Sequence, residues 1–192
     1  QRVARRLDMT TPDVFIRQEP TINAFAIGIL GRKSVSLNSA TVEAMNPNEL
    51  LSILGHEFAH IKCGHTAFNV FTGTGNAVYI PVISNIIDFI FLAWSRRAEY
   101  TADRGALLAC RDINAFLTAM AKISVGRDLF NHLNLQSLID QRIELGEDPS
   151  GKLSEMFGTH PYIVNRFHRA WRFYHSQKFG QLAKSPLPLA TG

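Results

Sequence analysis

The pattern of hydrophobic and polar positions changes character partway along the chain. Residues 24–30 alternate large apolar side chains with small ones, and the shorter segments 13–18 and 34–37 also have the character of strands. From residue 46 onward, apolar residues recur instead mostly at the spacing of helices. We therefore predict an α+β fold that is predominantly helical, with a small N-terminal β-sheet.

The first long helix has a well-marked start. Asn46 can cap the helix, Pro47 suits its first turn, and Glu49 stands three residues after the cap. A broad apolar stripe follows, which predicts that this helix is largely buried. The stripe comprises Leu50, Leu51, Ile53, Leu54, Phe58 and Ile61.

Further helices are predicted along the rest of the chain, over residues 96–109, 113–123 and 133–143. Residues 144–154 are rich in Gly, Asp and Pro, which predicts a loop that could overhang a site. Pro161 favours another helix just after it. The side chains that this last helix is expected to bury are Ile163, Phe167, Trp171 and Tyr174.

One segment, residues 77–94, is almost wholly apolar and approaches the length of a membrane span. Pro81, Asn85 and Asp88 interrupt it, and a carboxylate in the middle of a membrane is costly. We therefore predict a buried or interfacial helical hairpin here. Membrane association through this segment or a flanking one stays open.

The composition is that of one globular domain. The chain has 192 residues, 46% of them hydrophobic, and a formal net charge of +4, which suffices for one sizeable core. No block of Lys and Arg alternating with aromatic residues indicates nucleic-acid binding. Cys63 and Cys110 lack C-x-x-C spacing, so a reducing compartment is expected. We predict one domain over residues 1–180 and a flexible tail over 181–192.

The predicted buried helix contains the pattern H-E-x-x-H, formed by His56, Glu57 and His60. Histidines four apart lie on one face of a helix, so both rings can bind a single metal ion. Glu57 then lies near the open side of that ion, where it can accept a proton from water. Two buried histidines without a metal would need hydrogen-bond acceptors that the neighbouring apolar residues cannot supply. The pattern therefore predicts a catalytic zinc site.

A catalytic zinc ion usually has three protein ligands, so a third residue is needed. His65 is one place out of register for the longer motif H-E-x-x-H-x-x-G-x-x-H, and we expect it at the end of the helix instead. Glu99 is the better candidate. Asp103 shares its helix face and could accept a hydrogen bond from the far nitrogen of a ligand histidine, expected to be His56. An exposed helix with Glu–Arg pairs is the alternative.

These residues and two further segments resemble the M48 family of zinc metallopeptidases, which includes HtpX-like and Ste24-like members. The four matches follow the family's order and cover most of the chain. The resemblance implies a zincin-like metallopeptidase fold of the gluzincin type and one Zn²⁺ per chain. The matching segments are Asn-Ala-Phe-Ala at 23–26, His-Glu-x-x-His at 56–60, Glu99-x-x-x-Asp103, and Thr159-His160-Pro161 with Arg166 downstream.

The resemblance also implies roles for the additional residues. The strand at 23–26 would hold an extended peptide substrate beside the zinc. His160 would donate a hydrogen bond to the oxyanion of the reaction, and Arg166 would contact the substrate backbone or that same charge. The sequence alone fits the alternatives equally well. In these, the strand is an ordinary half-buried one, His160 caps a helix and Arg166 is solvated. The strand residues concerned are Asn23, Ala24, Phe25 and Ala26.

The sequence thus predicts a zinc metalloendopeptidase with His56, His60 and Glu99 as ligands. Glu57 would take the proton of the attacking water and pass it to the leaving amine. The expected partners are peptide or protein substrates, in protein quality control, and not nucleic acid. The alternative is a non-catalytic, zinc-containing peptide-binding or chaperone-like module, in which Glu57 would have little use. We expect a cytoplasmic catalytic domain, membrane-associated or soluble, rather than a periplasmic one.

Overall fold

The three strands predicted from the alternating pattern form one sheet, and helices make up most of the remainder. The computed structural model describes residues 1–29, 31–66, 81–132, 134 and 163–184. The strands are β1 (Asp13–Arg17), β2 (Ala24–Ile29) and β3 (Arg32–Asn38). The helices are α1 (Arg2–Arg6), α2 (Ser39–Ala44), α3 (Pro47–Lys62), α4 (Pro81–Cys110), α5 (Ile113–Val125), α6 (Arg127–Phe130), α7 (Ile163–Tyr174) and α8 (Gln177–Lys184). The predicted α+β, predominantly helical fold is confirmed.

The sheet has the strand order β1-β3-β2, so β1 and β2 lie at its edges. β1 runs parallel to β3, whereas β2 pairs with β3 antiparallel. Val35 and Leu37 of the central strand are buried in a core that they share with Phe58 and Ile61 of α3. β2 also contacts α3, which places one sheet edge beside the helix that carries the H-E-x-x-H pattern.

The start of α3 is fixed by the capping box that the sequence predicts. The Asn46 side chain accepts hydrogen bonds from the backbone N–H groups of Asn48 and Glu49, each at 2.9 Å. The Glu49 carboxylate in turn accepts one from the Asn46 N–H at 2.8 Å. Lys122 of α5 pairs with this buried carboxylate at 2.8 Å. The first turn of α3 is therefore anchored to α5, and the positions of the later histidines follow from it.

Two glycines allow α3 and α4 to pack with their backbones close together. A Cβ atom on Gly55 would lie 2.3 Å from the Cβ of Ala109, and one on Gly105 would lie 2.4 Å from the Cβ of Ala59. Neither distance is possible for real atoms, so the packing requires glycine at both positions. This close crossing brings the histidine face of α3 against the Glu99 face of α4.

The hairpin predicted for residues 77–94 is wrong for the part that the structure describes. Pro81–Cys110 is one continuous helix, so the apolar segment and the predicted helix at 96–109 form a single element. Pro81 stands at the first position of that helix, where its missing N–H breaks no hydrogen bond. Residues 77–80 lie outside the described residues. Among the described helices, none combines the length and apolar character needed to cross a membrane.

The helix predicted after Pro161 is present as α7, but it buries a different stripe. Val164, Phe167, Ala170 and Phe173 are buried, whereas Trp171 is 46% exposed. The predicted burial of Trp171 is therefore wrong. α7 packs against α4 and α5 at the same time, and these two neighbours determine which of its sides is buried.

The remaining predicted elements are described only in part. The helix predicted over residues 113–123 is confirmed as α5. Apart from residue 134, the helix predicted at 133–143 and the loop at 144–154 lie outside the described residues. The tail was predicted from residue 181, but α8 continues to Lys184; residues 185–192 lie outside the described part.

Candidate metal centre

A cavity of about 540 Å³ collects most of the predicted site residues. β2 forms one wall, α3 and α4 contribute the predicted ligands, and α5 and α7 complete the lining. Asp103 is 2% exposed and does not line this cavity. The predicted residues that line the cavity are Asn23, Ala24, Phe25, Ala26, His56, Glu57, His60, Glu99 and Arg166.

Three of these side chains direct potential metal-binding atoms at one point. The Nε2 atoms of His56 and His60 lie 3.1 Å apart. Glu99 brings one carboxylate oxygen within 3.6 Å of His56 Nε2 and the other within 3.4 Å of His60 Nε2. Two ligands of a tetrahedral zinc ion, each about 2.0–2.1 Å from the metal, are about 3.3 Å apart. The ligand atoms of the three residues are therefore spaced as if they shared one metal ion.

The charge of the buried site also fits a divalent cation. Glu57, Glu99 and Asp103 are three carboxylates with little exposure, and among the described residues the guanidinium of Arg166 faces Glu99 and Asp103. With neutral histidines, this group carries a net charge of −2. A buried charge of that size is costly unless a counter-ion is present. A divalent cation bound by His56, His60 and Glu99 would neutralise it.

Asp103 and Arg166 hold two of the three donors in place. The guanidinium of Arg166 donates two hydrogen bonds to Asp103, at 2.9 and 2.6 Å, and lies 3.1 Å from Glu99. The Nδ1 atom of His56 lies 3.2 Å from Asp103 and has no other partner among the described residues. Burial opposes charging of Asp103, but the adjacent Arg166 and His56 outweigh it and lower the pKa of Asp103. The carboxylate therefore stays ionised beside the His56 ring, and its role in orienting that ring stays a prediction.

Glu57 lies in the same cavity without belonging to the donor group. Its side chain is buried, and the backbone of Ala26 on β2 lies beside its carboxylate and acts to lower its pKa. Burial raises the pKa of Glu57, although the nearby rings of His56 and His60 act in the opposite direction. A carboxylate beside a metal centre, with a raised proton affinity, is suited to proton transfer.

His65 is a residue of the centre whose position the sequence did not reveal. α3 ends at Lys62, and Gly64, with φ of +73°, reverses the chain. His65 thereby places its Nδ1 atom 3.1 Å from Nδ1 of His60, and Trp94 packs edge-on against its ring. Burial lowers the pKa of His65, which favours the neutral ring, whose free nitrogen can accept a hydrogen bond from the Nδ1–H group of His60. The glycine just before His65 was the available signal.

Two of the predicted roles are left as predictions. His160 lies outside the described residues. Arg166 lines the cavity, but its guanidinium is paired with Asp103 and Glu99, so its predicted contact with substrate is not addressed by this arrangement. The link from Arg166 to Asp103 spans 63 positions of the sequence, a distance over which helical spacing gives no information.

The fold and centre define a class: a predominantly helical α+β protein in which two histidines of an H-E-x-x-H helix and a glutamate of a second helix form a group that could hold a metal ion. The family model described as Peptidase family M48 matches residues 1–172. The chain belongs to this family, as the sequence predicts.

Three relatives illustrate the similarity. The chain is 30% identical to the chloroplastic plastoglobule-localized metallopeptidase 48 of Arabidopsis thaliana, over 72% of this chain and 42% of the relative. It is 27% identical to Protease HtpX of Alkalilimnicola ehrlichii, over 86% of this chain and 65% of the relative. It is 29% identical to a Protease HtpX homolog of Helicobacter pylori, over 81% and 58%. The chain thus spans less than two thirds of the length of these relatives.

Proposed function

We propose that this protein is a zinc-dependent endopeptidase. The observation that carries the proposal is the position of Glu57, which is buried in the cavity of the three donors and is not one of them. A structural zinc site has no use for such a carboxylate, whereas a hydrolytic site needs one. Two imidazoles and one carboxylate at tetrahedral spacing suit zinc in particular.

The roles of the residues follow from their positions. Bound zinc would supply a Lewis acid that polarises water and the scissile carbonyl. Glu57 would accept the proton of the attacking water and deliver it to the leaving amine, and its raised pKa helps it to do both. Asp103 and Arg166 would keep His56 and Glu99 oriented. His160 lies outside the described residues; from the family resemblance alone, we propose that it donates a hydrogen bond to the developing oxyanion.

We propose that the substrate binds as an additional strand along β2. The Asn23 carbonyl accepts a hydrogen bond from the Asn38 N–H, so alternate residues from Asn23 onward face β3. The backbone groups of Ala24 and Ala26 then point to the open edge, on the side of Glu57. Phe25 also lines the cavity and would contact a substrate side chain.

The test compares Glu57→Gln with the wild type in zinc content and casein cleavage. We expect equal zinc and a loss of cleavage of about 10²–10⁴-fold, the usual contribution of a general base. Glu43→Gln, which changes an exposed glutamate in the same way, should leave both unchanged. Cleavage that survives in Glu57→Gln would refute the role of Glu57. Absence of cleavage in the wild type with zinc bound would favour a non-catalytic peptide-binding module.

The proposed setting is protein quality control, with the catalytic domain in the cytoplasm, either soluble or membrane-associated. The free thiols of Cys63 and Cys110 are compatible with a reducing compartment. Fractionation of cells that express the whole protein would test this location, and recovery of the catalytic domain in a periplasmic fraction would refute it.

A further inference from the structure

A second cavity, of about 460 Å³, lies on another face of the α3–α4 pair. It has no lining residue in common with the metal-centre cavity. α3 contributes Ala59 and Lys62, Cys63 follows directly after that helix, and α4 contributes a face that includes Arg104 and Leu108. α1, α7 and α8 complete the walls. We call this the basic cavity, because of the charges described next.

The basic cavity concentrates positive charge. Six cationic side chains and one carboxylate, that of Asp8, line it. Its local charge therefore exceeds the formal net charge of +4 of the whole chain. None of the six forms an ion pair with any residue that the structure describes. The six cations are Arg5, Arg6, Lys62, Arg104, Arg111 and Lys178.

These cations crowd one another instead of being neutralised. Burial and the charges of Arg111 and Arg2 lower the pKa of Arg6. Lys62 donates to the Asp8 carbonyl at 2.9 Å, and Arg104 lies over the ring of Phe173 at 5.5 Å. The Asp8 carbonyl and the Phe173 ring are uncharged, so these contacts do not offset the positive charge of the two cations. An arrangement of this kind is unfavourable by itself and attracts an anion into the concavity.

The cavity also has an apolar side. Leu7 and Phe173 are buried in it, Leu108 is half-buried, and Leu182 of α8 is 45% exposed. An inorganic ion would make no use of these groups. A molecule that joins an anionic head to an organic part would contact both sides.

We infer that the basic cavity binds the phosphate group of a phosphate ester. Arg5, Arg104 and Arg111 present guanidinium forks, which match the several acceptor oxygens of a phosphate better than the two of a carboxylate. Lys178 adds a further charge, and Leu182 contacts the organic part. The ester is either a soluble metabolite or the head group of an anionic phospholipid, since both have this chemistry.

Cys63 provides a local readout of occupancy. It is exposed and lines the basic cavity, whereas Cys110, the other cysteine of the chain, is buried. Alkylation by iodoacetamide, a neutral reagent, should therefore report on this cavity. The probes are inorganic phosphate, glycerol phosphate, and vesicles of phosphatidylcholine with or without phosphatidylglycerol, each compared with chloride at equal ionic strength. A probe present at ten times its Kd should slow alkylation about tenfold.

A charge-matched pair of variants separates this site from general electrostatics. Arg5→Gln/Arg104→Gln/Lys178→Gln removes three cations from the cavity. Arg32→Gln/Lys33→Gln/Arg127→Gln removes three exposed cations elsewhere. If each cation contributes about fivefold to the affinity for a phosphate probe, the cavity variant should bind that probe about a hundredfold more weakly. The other variant should bind it like the wild type. Unchanged zinc content and circular dichroism would show that both variants are folded.

The outcomes distinguish the sources of the phosphate. Protection by glycerol phosphate without protection by anionic vesicles identifies a soluble ester, and protection by anionic vesicles identifies a phospholipid. Equal weakening of both variants, or no protection by any phosphate probe, would overturn the inference. Polyglutamate serves as a control anion without phosphate: protection by it and by none of the phosphate probes would overturn the inference and assign the cavity to an acidic polypeptide. Because every readout is binding, the result does not depend on whether the proposed peptidase activity is correct.

Discussion

Arg166 shows how the predicted metal ligands depend on residues outside the ligand set. Its guanidinium joins Asp103 to Glu99, and Asp103 in turn faces His56. Asp103 could be proposed from the sequence, because its spacing from Glu99 is local to one helix. Arg166 was expected to face the substrate. Its ion pairs depend on how α7 packs against α4, and that packing cannot be read from either segment alone.

His65 leads to a prediction about metal affinity. His65→Ala removes the partner of His60 Nδ1, so the ring that should bind the metal through Nε2 loses its fixed orientation. We expect zinc to bind about 10–100-fold more weakly, as is usual when such a partner is lost. Competition with a chromophoric chelator measures this affinity. His175→Ala, at an exposed histidine, should have no effect. Equal affinity in His65→Ala and the wild type would show that His65 does not orient His60.

At the scale of elements, the close contact of α3 and α4 sets the distance between the histidines and Glu99. Gly55→Ala would force a methyl group against Ala109. We expect a loss of about 1–3 kcal/mol in the free energy of unfolding, typical of an overpacked core, measured by urea denaturation. Gly180 in α8 has open space around it, so Gly180→Ala should be neutral or stabilising by up to about 1 kcal/mol. Equal stability of the two variants would refute the close packing.

Elements specified by local chemistry could be predicted from the sequence, and those specified by distant neighbours could not. The capping box at Asn46 fixed the start of α3, and alternation located β2 to within one residue. In contrast, the polar residues within 77–94 suggested a break, yet α4 continues through them. The burial of Trp171 was predicted wrongly for a similar reason. Helical spacing shows which residues share a face, but the neighbouring elements determine which face is buried.

At the scale of the whole molecule, the centre joins parts of the chain that are far apart in sequence. An unfolded chain cannot bring Glu99 to the two histidines, so zinc should bind the native state preferentially. At a free zinc concentration of about 1,000 times Kd, this adds about 4 kcal/mol to stability and raises Tm by on the order of 10 °C. Thermal unfolding with zinc and with a chelator measures the shift. Glu57→Gln should retain the full shift and Glu99→Gln should lose most of it; a full shift in Glu99→Gln would exclude Glu99 as a ligand.

The closeness of the Ala26 backbone to Glu57 has a consequence for when the centre becomes active. This backbone favours the ionised form of Glu57, and it lies on the strand edge along which we propose that substrate binds. A peptide carbonyl that pairs with β2 at this position would take up the Ala26 N–H, which would then no longer lower the pKa of Glu57. The arriving peptide would thus raise the proton affinity of the base, so that Glu57 becomes the stronger proton acceptor only when there is a bond to cut.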